Sequence, residues 1–405
     1  MKTALMGRFH LCCSVMKSAL RDESVVARLK EYREWVRLAE EQTGKGLWTQ
    51  AREILALKRA GGQCGVTDYY WYKIYDGAYQ QGRGAPDFLG WRLQQQFSLA
   101  LNPRDAVLPA WDKTVFIQLA TGAGLPVAPI KACFHRSKRV PETLGHHLRS
   151  LGDAGGFLRN PENFPLFAKP AYSQQGYGSA YLASYDPVTD SLNLLNGKSI
   201  PVDIFLNRLE VPFDHRFHKP ECGFLFQEPL KLAPEIQLLT DWPAICGVRI
   251  VCLNAPDGVM PIRAIWKVAM PPNYVDNFSL GKYGNLLADV NLTTGEVSRV
   301  INGFWPRTKV LTVHPNSGQS IAGFRLPGWS QVLEACQQGG ALFPLMKIHH
   351  WDFAFTDQGP MILELNDLGG TEIAQVHGRG LLTQETRAFL KRHADIDRHA
   401  WVKSL

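Results

Sequence analysis

The chain has 405 residues, 45% hydrophobic and 20% charged, with a formal net charge of +7. That balance excludes a disordered chain, and the length leaves room for two or three domains. No stretch approaches the roughly 20 apolar residues that span a bilayer, the N-terminal segment is broken by Lys2, Arg8 and His10 before an apolar run develops, and the 44 Lys and Arg form no long basic run. The chain is therefore expected in the cytoplasm, without a membrane span or a nucleic-acid partner, and with a phosphate- or carboxylate-bearing substrate that suits its charge.

From about Asp22 to Arg59, Val26, Leu29, Tyr32, Val36 and Leu38 recur at helical spacing among Glu, Lys, Arg and Ala, which predicts a helical N-terminal region ended by Gly61 and Gly62. The aromatic-rich stretch from Thr67 to Asp105 is expected to pack as irregular helix and loop, its rings serving as core. A helix should start near Trp111, after Pro109, with Val115, Phe116, Leu119 and Ala120 on one face, and GLPVAPIKACF then turns into a strand. Farther on, PLFAKP, SAYLASY, GFLFQEPL, AICGVRIVCLN and VMPIRAIWKVAM read as strands, and LLADVNLTTGEVSRVI as a hairpin about its Thr-Gly turn. The pattern is α+β, helical at the front and mostly antiparallel behind. The cysteines at positions 12, 13, 64, 133, 222, 246, 252 and 336 lack metal-site spacing and read as free thiols.

Four segments carry chemistry. Lys169 lies on a short apolar strand followed by the loop Ser173 to Gly178, where Gly176 and Gly178 allow backbone N–H groups to approach phosphates. With no GxxxxGK[ST] opening a helix it is not a P-loop, and a plain hairpin turn is the competing reading. FLFQEPL ends an apolar strand in Gln227, Glu228 and Pro229, which can offer backbone groups to an adenine edge; alone it would be an ordinary edge strand. Arg249 sits mid-strand among apolar residues and needs an anion, either a ligand phosphate or carboxylate or a buried acid of this chain. HHWDFAFTDQGPMILELN reads as two strands about a turn centred near Gln358. Pairing about that centre sets Asp352 opposite Glu364, and alternation adds Asn366 to the same face while Phe353, Phe355, Leu363 and Leu365 face the core. Two carboxylates held together repel unless a cation joins them, and hard oxygen donors of this kind suit Mg²⁺; a solvated hairpin face is the alternative.

In this order, these segments resemble the ATP-grasp superfamily, and more narrowly its sugar-transfer associated branch. The resemblance covers roughly residues 50 to 390, through DKTVFIQLATGAGLPVAP, LFAKPAYSQQGYG, FLFQEPL, GVRIVCLN, YVDNFSLGKYGNLLADVNLTTGE, HPNSGQSIAGFRLPGW and WDFAFTDQGPMILELN. It implies two α+β subdomains clasping ATP: a helical region over 1–100, a front subdomain over 101–222 and a C-terminal subdomain over 223–405. It further implies that Lys113 and Lys169 reach the phosphates, that Ser173 with Gly176 and Gly178 forms a lid, and that Gln227, Glu228, Pro229 and Leu230 form the adenine hinge. Arg249 resembles the arginine that steadies the transferred phosphate, and Asp352, Glu364 and Asn366 match the magnesium set. Lys267 stands where the branch favours arginine, as a catalytic candidate. A DN motif survives as Asp276 and Asn277, with Asn277 expected at the nucleotide, but GKYGN replaces the Gly-Gly pair that should follow. Gln375 and His377 fall in an expected acceptor-side loop, and residues 1 to 50 match nothing in the family.

The reaction implied is ligation: a carboxylate attacks the γ-phosphate of ATP, and an amine displaces phosphate from the acyl-phosphate. Acceptors would be small molecules or peptides bearing a carboxylate or amine, the cofactors ATP and Mg²⁺, and a homodimer is left open. A kinase phosphorylating a hydroxyl needs the same metal and lysines, and a non-catalytic nucleotide-binding regulator is the third reading.

Overall fold

The computed structural model describes residues 25–81, 85–137, 140–173, 176–212 and 218–405. Two seven-stranded sheets dominate it. The first contains β1 (Ile130–Phe134), β2 (His146–Leu148), β3 (Leu166–Pro170), β4 (Ala180–Asp186), β5 (Ser191–Leu194), β6 (Ser199–Pro201) and β7 (Phe224–Gln227), in the spatial order β2-β1-β7-β3-β4-β5-β6. The second contains β8 (Gly247–Ala255), β9 (Gly258–Val268), β10 (Leu286–Val290), β11 (Val297–Asn302), β12 (Lys309–Leu311), β13 (Ile348–Thr356) and β14 (Gly359–Asn366), in the order β12-β11-β10-β9-β8-β13-β14. Among the described pairings between these strands only β1 with β2 is parallel, as the short Gly- and Pro-punctuated strands predict, and an isolated parallel bridge joins Val127 to Ile362. The boundary expected at residue 222 falls just before β7, which lies inside the first sheet between β1 and β3.

Alternation along β8 divides the second sheet between two cores. Val248, Ile250 and Cys252 join Trp266, Trp351, Phe353 and the helix Trp329–Leu342 on one face. Val251 and Leu253, with Ile265, Leu287, Ile301 and Ile348, face the N-terminal aromatics Tyr69, Tyr70, Tyr72 and Tyr75 on the other. The N-terminal helices thus share a core with the second sheet, and their tyrosines are core residues as expected. A third core lies between the first sheet and the helices Leu151–Leu158 and Val202–Glu210.

Two local expectations shift. The front helical run is split into Val25–Thr43 and Leu47–Arg59, because Gly44 takes a left-handed φ of 71° before the break at Gly61. The helix Lys113–Gly122 buries Phe116, Ile117 and Ala120, whereas Leu119 is 46% exposed, so its inward face is rotated from the one expected. Asp112 caps this helix by accepting from the backbone N–H groups of Thr114 and Val115, a contact worth about 1 kcal/mol. The six described cysteines are free thiols, with Cys12 and Cys13 outside the described residues. No described helix is long and apolar enough to cross a membrane.

What positions the site is the pair of crossings between the sheets. Ile362 of β14 donates its N–H to Pro126 O at 2.7 Å, just before β1. After β7, Glu228 N–H reaches Pro129 O (3.2 Å), and Ala233 N–H reaches Phe355 O of β13 (3.0 Å). The β13–β14 hairpin is thereby stitched to both segments that enter and leave the first sheet.

Candidate functional site

The hairpin turns through Asp357 and Gln358, with Thr356 paired to Gly359. Continued without interruption, that register would set Asp352 opposite Leu363. A β-bulge between Asp352 and Phe353 on the pairing path shifts it by one residue, so that Asp352 faces Glu364 and His350 faces Asn366. The expected pair forms, but through the bulge rather than a turn centred on Gln358. The same shift corrects the core assignment: Ile362 and Leu365 are buried on the core side, whereas Leu363 is only half-buried.

Arg249 lies directly opposite Asp352 on β8. Its Nε donates to Asp352 Oδ1 (2.7 Å) and its Nη2 to Oδ2 (2.6 Å), while Nη1 donates to the carbonyl of Gly369 (2.5 Å). The anion that the mid-strand arginine required is thus an acid of this chain. From β9, Lys267 Nζ stands 3.4 Å from Asp352 Oδ2 and 3.5 Å from Asp276 Oδ2, which also accepts from Gly247 N–H at 2.8 Å. Burial alone would raise the Asp352 carboxyl, but Arg249 and Lys267 outweigh it and hold it at about 2. Burial opposes the charge on Lys267 as well, and Asp276 and Asp352 together keep its affinity for a proton above the ordinary lysine value.

β3 of the first sheet and the helix Lys113–Gly122 present two more cations. Lys169 projects from β3, and Lys113 opens the helix tied to that strand's exit by its own N–H to Ala171 O (2.9 Å). Lys113 Nζ donates to the carbonyl of Ser173 at 2.7 Å. Burial, then the neighbouring charge of Lys113, pushes Lys169 down to about 7, against the pull of Glu364. Burial also lowers Lys113, again opposed first by Glu364. Lys169 on β3 and Lys113 on the helix Lys113–Gly122 therefore both feel the carboxylate of β14. Gly176 and Gly178 adopt left-handed φ angles of 72° and 77°, the freedom expected of the loop; Gln174 and Gln175 of that loop lie outside the described residues.

Gln227 is buried at the end of β7, and Glu228, Pro229 and Leu230 run along the crossing between the sheets, with Glu228 exposed. Asn277 is different. Its side chain is exposed and joins no hydrogen bond or ion pair of the cluster, and its carbonyl accepts from Asn285 Nδ2 (2.9 Å). Asp276 of the same motif is the residue that reaches the site, through Lys267 of β9 and Gly247 N–H, and no sequence signal separates it from Asn277. Gln375 is likewise structural: fully buried, it accepts from Leu89 and Leu381 N–H and donates to Leu89 O, pinning the N-terminal region. His377 is buried against Asp289, and burial pushes its imidazole down to about 4.

Glu364 Oε1 accepts from Asn366 Nδ2 at 3.1 Å, and no donor among the described residues reaches Oε2. Among the described residues no group of three or more His, Cys, Asp or Glu is placed to hold a metal ion. The available donors are the oxygens of Glu364 and Asn366, beside an Asp352 whose two oxygens already accept from cations. Hard oxygens, few in number and next to lysines, fit Mg²⁺, which takes one or two carboxylates and completes its shell with water and phosphate.

Residues 92–390 match the family described as sugar-transfer associated ATP-grasp. None of the curated proteins compared matches the chain. Among solved structures it is similar to an L-amino acid ligase from Bacillus licheniformis (8% identity, TM-score 0.33, covering 66% of this chain and 43% of that one). It is also similar to N5-carboxyaminoimidazole synthetase from Staphylococcus aureus (8%, 0.36, 71% and 58%) and to D-alanine-D-alanine ligase from Helicobacter pylori (11%, 0.39, 78% and 68%). The chain thus spans less than two thirds of the length of the first two.

Proposed function

The chain belongs to the sugar-transfer associated ATP-grasp family, and from that membership we propose an ATP-dependent, ADP-forming ligase that joins a carboxylate to an amine. The acid or amine would be an amino acid, a peptide or a sugar acid in natural-product or surface-glycan assembly. The observation that carries this reading is the placement of the charges: Lys113 opens a helix tied by its N–H to Ala171 O just after Lys169 on β3, the chain after that helix meets β14 through Ile362 N–H on Pro126 O, two residues from Glu364, and Glu364 favours the charged form of both buried lysines. Two buried ammonium groups on one side and oxygen donors on the other are what a triphosphate with its cation requires.

In this reading Gln227 to Leu230 hold adenine at the crossing, and Lys113 exchanges the Ser173 carbonyl for a phosphate oxygen. Lys169 regains its proton beside the phosphates and neutralises them. Glu364 and Asn366, with Asp352, would hold Mg²⁺, which when bound neutralises charge on the phosphate oxygens. Arg249, with Lys267 behind it, faces the phosphoryl group as the substrate carboxylate attacks the γ-phosphorus and ADP leaves. The Ser173 to Gly178 loop keeps water from the acyl-phosphate until the amine attacks its carbonyl carbon, expelling phosphate and losing a proton. No covalent nucleophile of the chain is needed.

Incubating the protein with ATP, Mg²⁺ and paired acids and amines should release ADP and free phosphate in step with an amide. AMP as the nucleotide product would reject the mechanism, and ADP without free phosphate would identify a kinase.

A further inference from the structure

Arg249 is held at three points, and the third has an unusual support. Its Nη1 donates to the carbonyl of Gly369, three residues beyond Asn366. Gly369 is set against the His350 ring so closely that a β-carbon there would lie 2.6 Å from His350 Cβ, and closer still to Nδ1 and Cγ. Because even the His350 Cβ is in the way, rotation of the imidazole could not relieve the overlap; the loop itself would have to move. His350 cannot retreat, since it is fully buried on β13 between Val251 of β8 and Asn366 of β14. Neither of its ring nitrogens has a hydrogen-bond partner among the described residues, so the ring acts here as a flat wall. Gly369 does not have a positive φ, unlike Gly370 at 65°, so close approach is the reason position 369 must lack a side chain.

We propose that His350 and Gly369 are positioning residues: their contact sets the height of the loop that follows β14, and the Gly369 carbonyl thereby fixes the rotation of the Arg249 guanidinium. The Asp352 fork uses Nε and Nη2, and the carbonyl uses one hydrogen of Nη1. That leaves one N–H on each terminal nitrogen, of the five the group carries, to meet a phosphoryl oxygen. If the loop lifts, the guanidinium can swing about its Asp352 fork and those two donors lose their aim. Only the kinetic part of this proposal rests on the ligase reading; the orientation of Arg249 does not.

The test is a coupled pair of substitutions. Gly369→Ala should lower kcat for ADP formation by about a hundredfold, the cost of misplacing a reacting group by about 1 Å, with KM for ATP nearly unchanged. Combining it with His350→Gly, which removes the opposing Cβ, should return kcat to within about fivefold of His350→Gly alone. Independently of any substrate, the Arg249 Nε–H resonance, assigned by its loss in Arg249→Lys, should exchange faster with solvent in Gly369→Ala and slow again in the double variant. A Gly369→Ala protein with unchanged kcat and unchanged Arg249 exchange would overturn the proposal. So would a double variant no better than the single one. Should Gly369→Ala not fold, the comparison runs between the unsubstituted protein and His350→Gly: removing the wall should lower kcat and speed exchange of the Arg249 resonance, and values equal to those of the unsubstituted protein refute the positioning role. A protein that turns over no ATP but shows the exchange pattern retains the positioning role and loses the ligase assignment.

Discussion

The two groups of cations at the site solve the problem of buried charge in opposite ways. On the second sheet, Arg249 and Lys267 are neutralised by Asp352 and Asp276 within a closed network. On the first, Lys113 leans on a neutral carbonyl and Lys169 answers burial by giving up affinity for its proton. The contrast teaches which side is complete without a ligand. The arginine side is preassembled and rigid, and the lysine side is electrostatically unfinished until an anion arrives.

The largest expected effect breaks the finished side. Asp352→Ala leaves Arg249 buried without its partner and should cost about 3–5 kcal/mol of stability, read as a lower midpoint in urea unfolding, together with loss of ATP turnover. On the unfinished side the same kind of truncation should behave differently: Lys169→Met should leave the unfolding midpoint unchanged or raised, because it removes an uncompensated desolvation. It should nevertheless lower ATP turnover by about a hundred- to a thousandfold, as loss of a donor aimed at developing charge does. A destabilised Lys169→Met protein would show that the lysine is paired after all. The smallest effect is a matter of protons. Lys169 sits near 7 in the free protein against 10.5 ordinarily, and phosphate should raise it again, so ATP binding should take up about one proton at pH 8–9 and almost none near pH 5.5. Calorimetry in buffers of different ionisation enthalpy measures this. The sign for folding follows from the same shift: between about 7 and 10.5 the unfolded chain holds the extra proton, so the ligand-free protein should gain stability as pH rises through that window.

Much of the strand content was legible because period-two alternation and Gly-Pro punctuation are local signals; β8, β9 and the β10–β11 hairpin each extend only one residue beyond the segments read as strands. The pairing of Asp352 with Glu364 was also legible, although the bulge that secures it was not, since a one-residue register shift has no composition of its own. Asn277 and Asp276 show the limit. Adjacent residues of one motif point in different directions, and only the position of Lys267 on another strand decides which of them enters the site. Gln375 looked like an acceptor-side residue because a polar side chain among glycines suggests a loop at a ligand. Two of its hydrogen bonds instead hold the chain at Leu89, nearly three hundred residues away in sequence, and a third accepts from Leu381 N–H.

The sequence by itself determined which residues could carry charge to the site and, where no bulge interrupts the period, on which face of a strand they would stand, because side-chain direction follows from local period. Tertiary structure alone decided who meets whom: that Arg249 spends its fork on Asp352, that Lys169 has no carboxylate in contact among the described residues, and that Gly369 must stay bare against His350. The reason is that burial and pairing energies depend on distances between segments far apart in the chain, and no local pattern of residues encodes those distances.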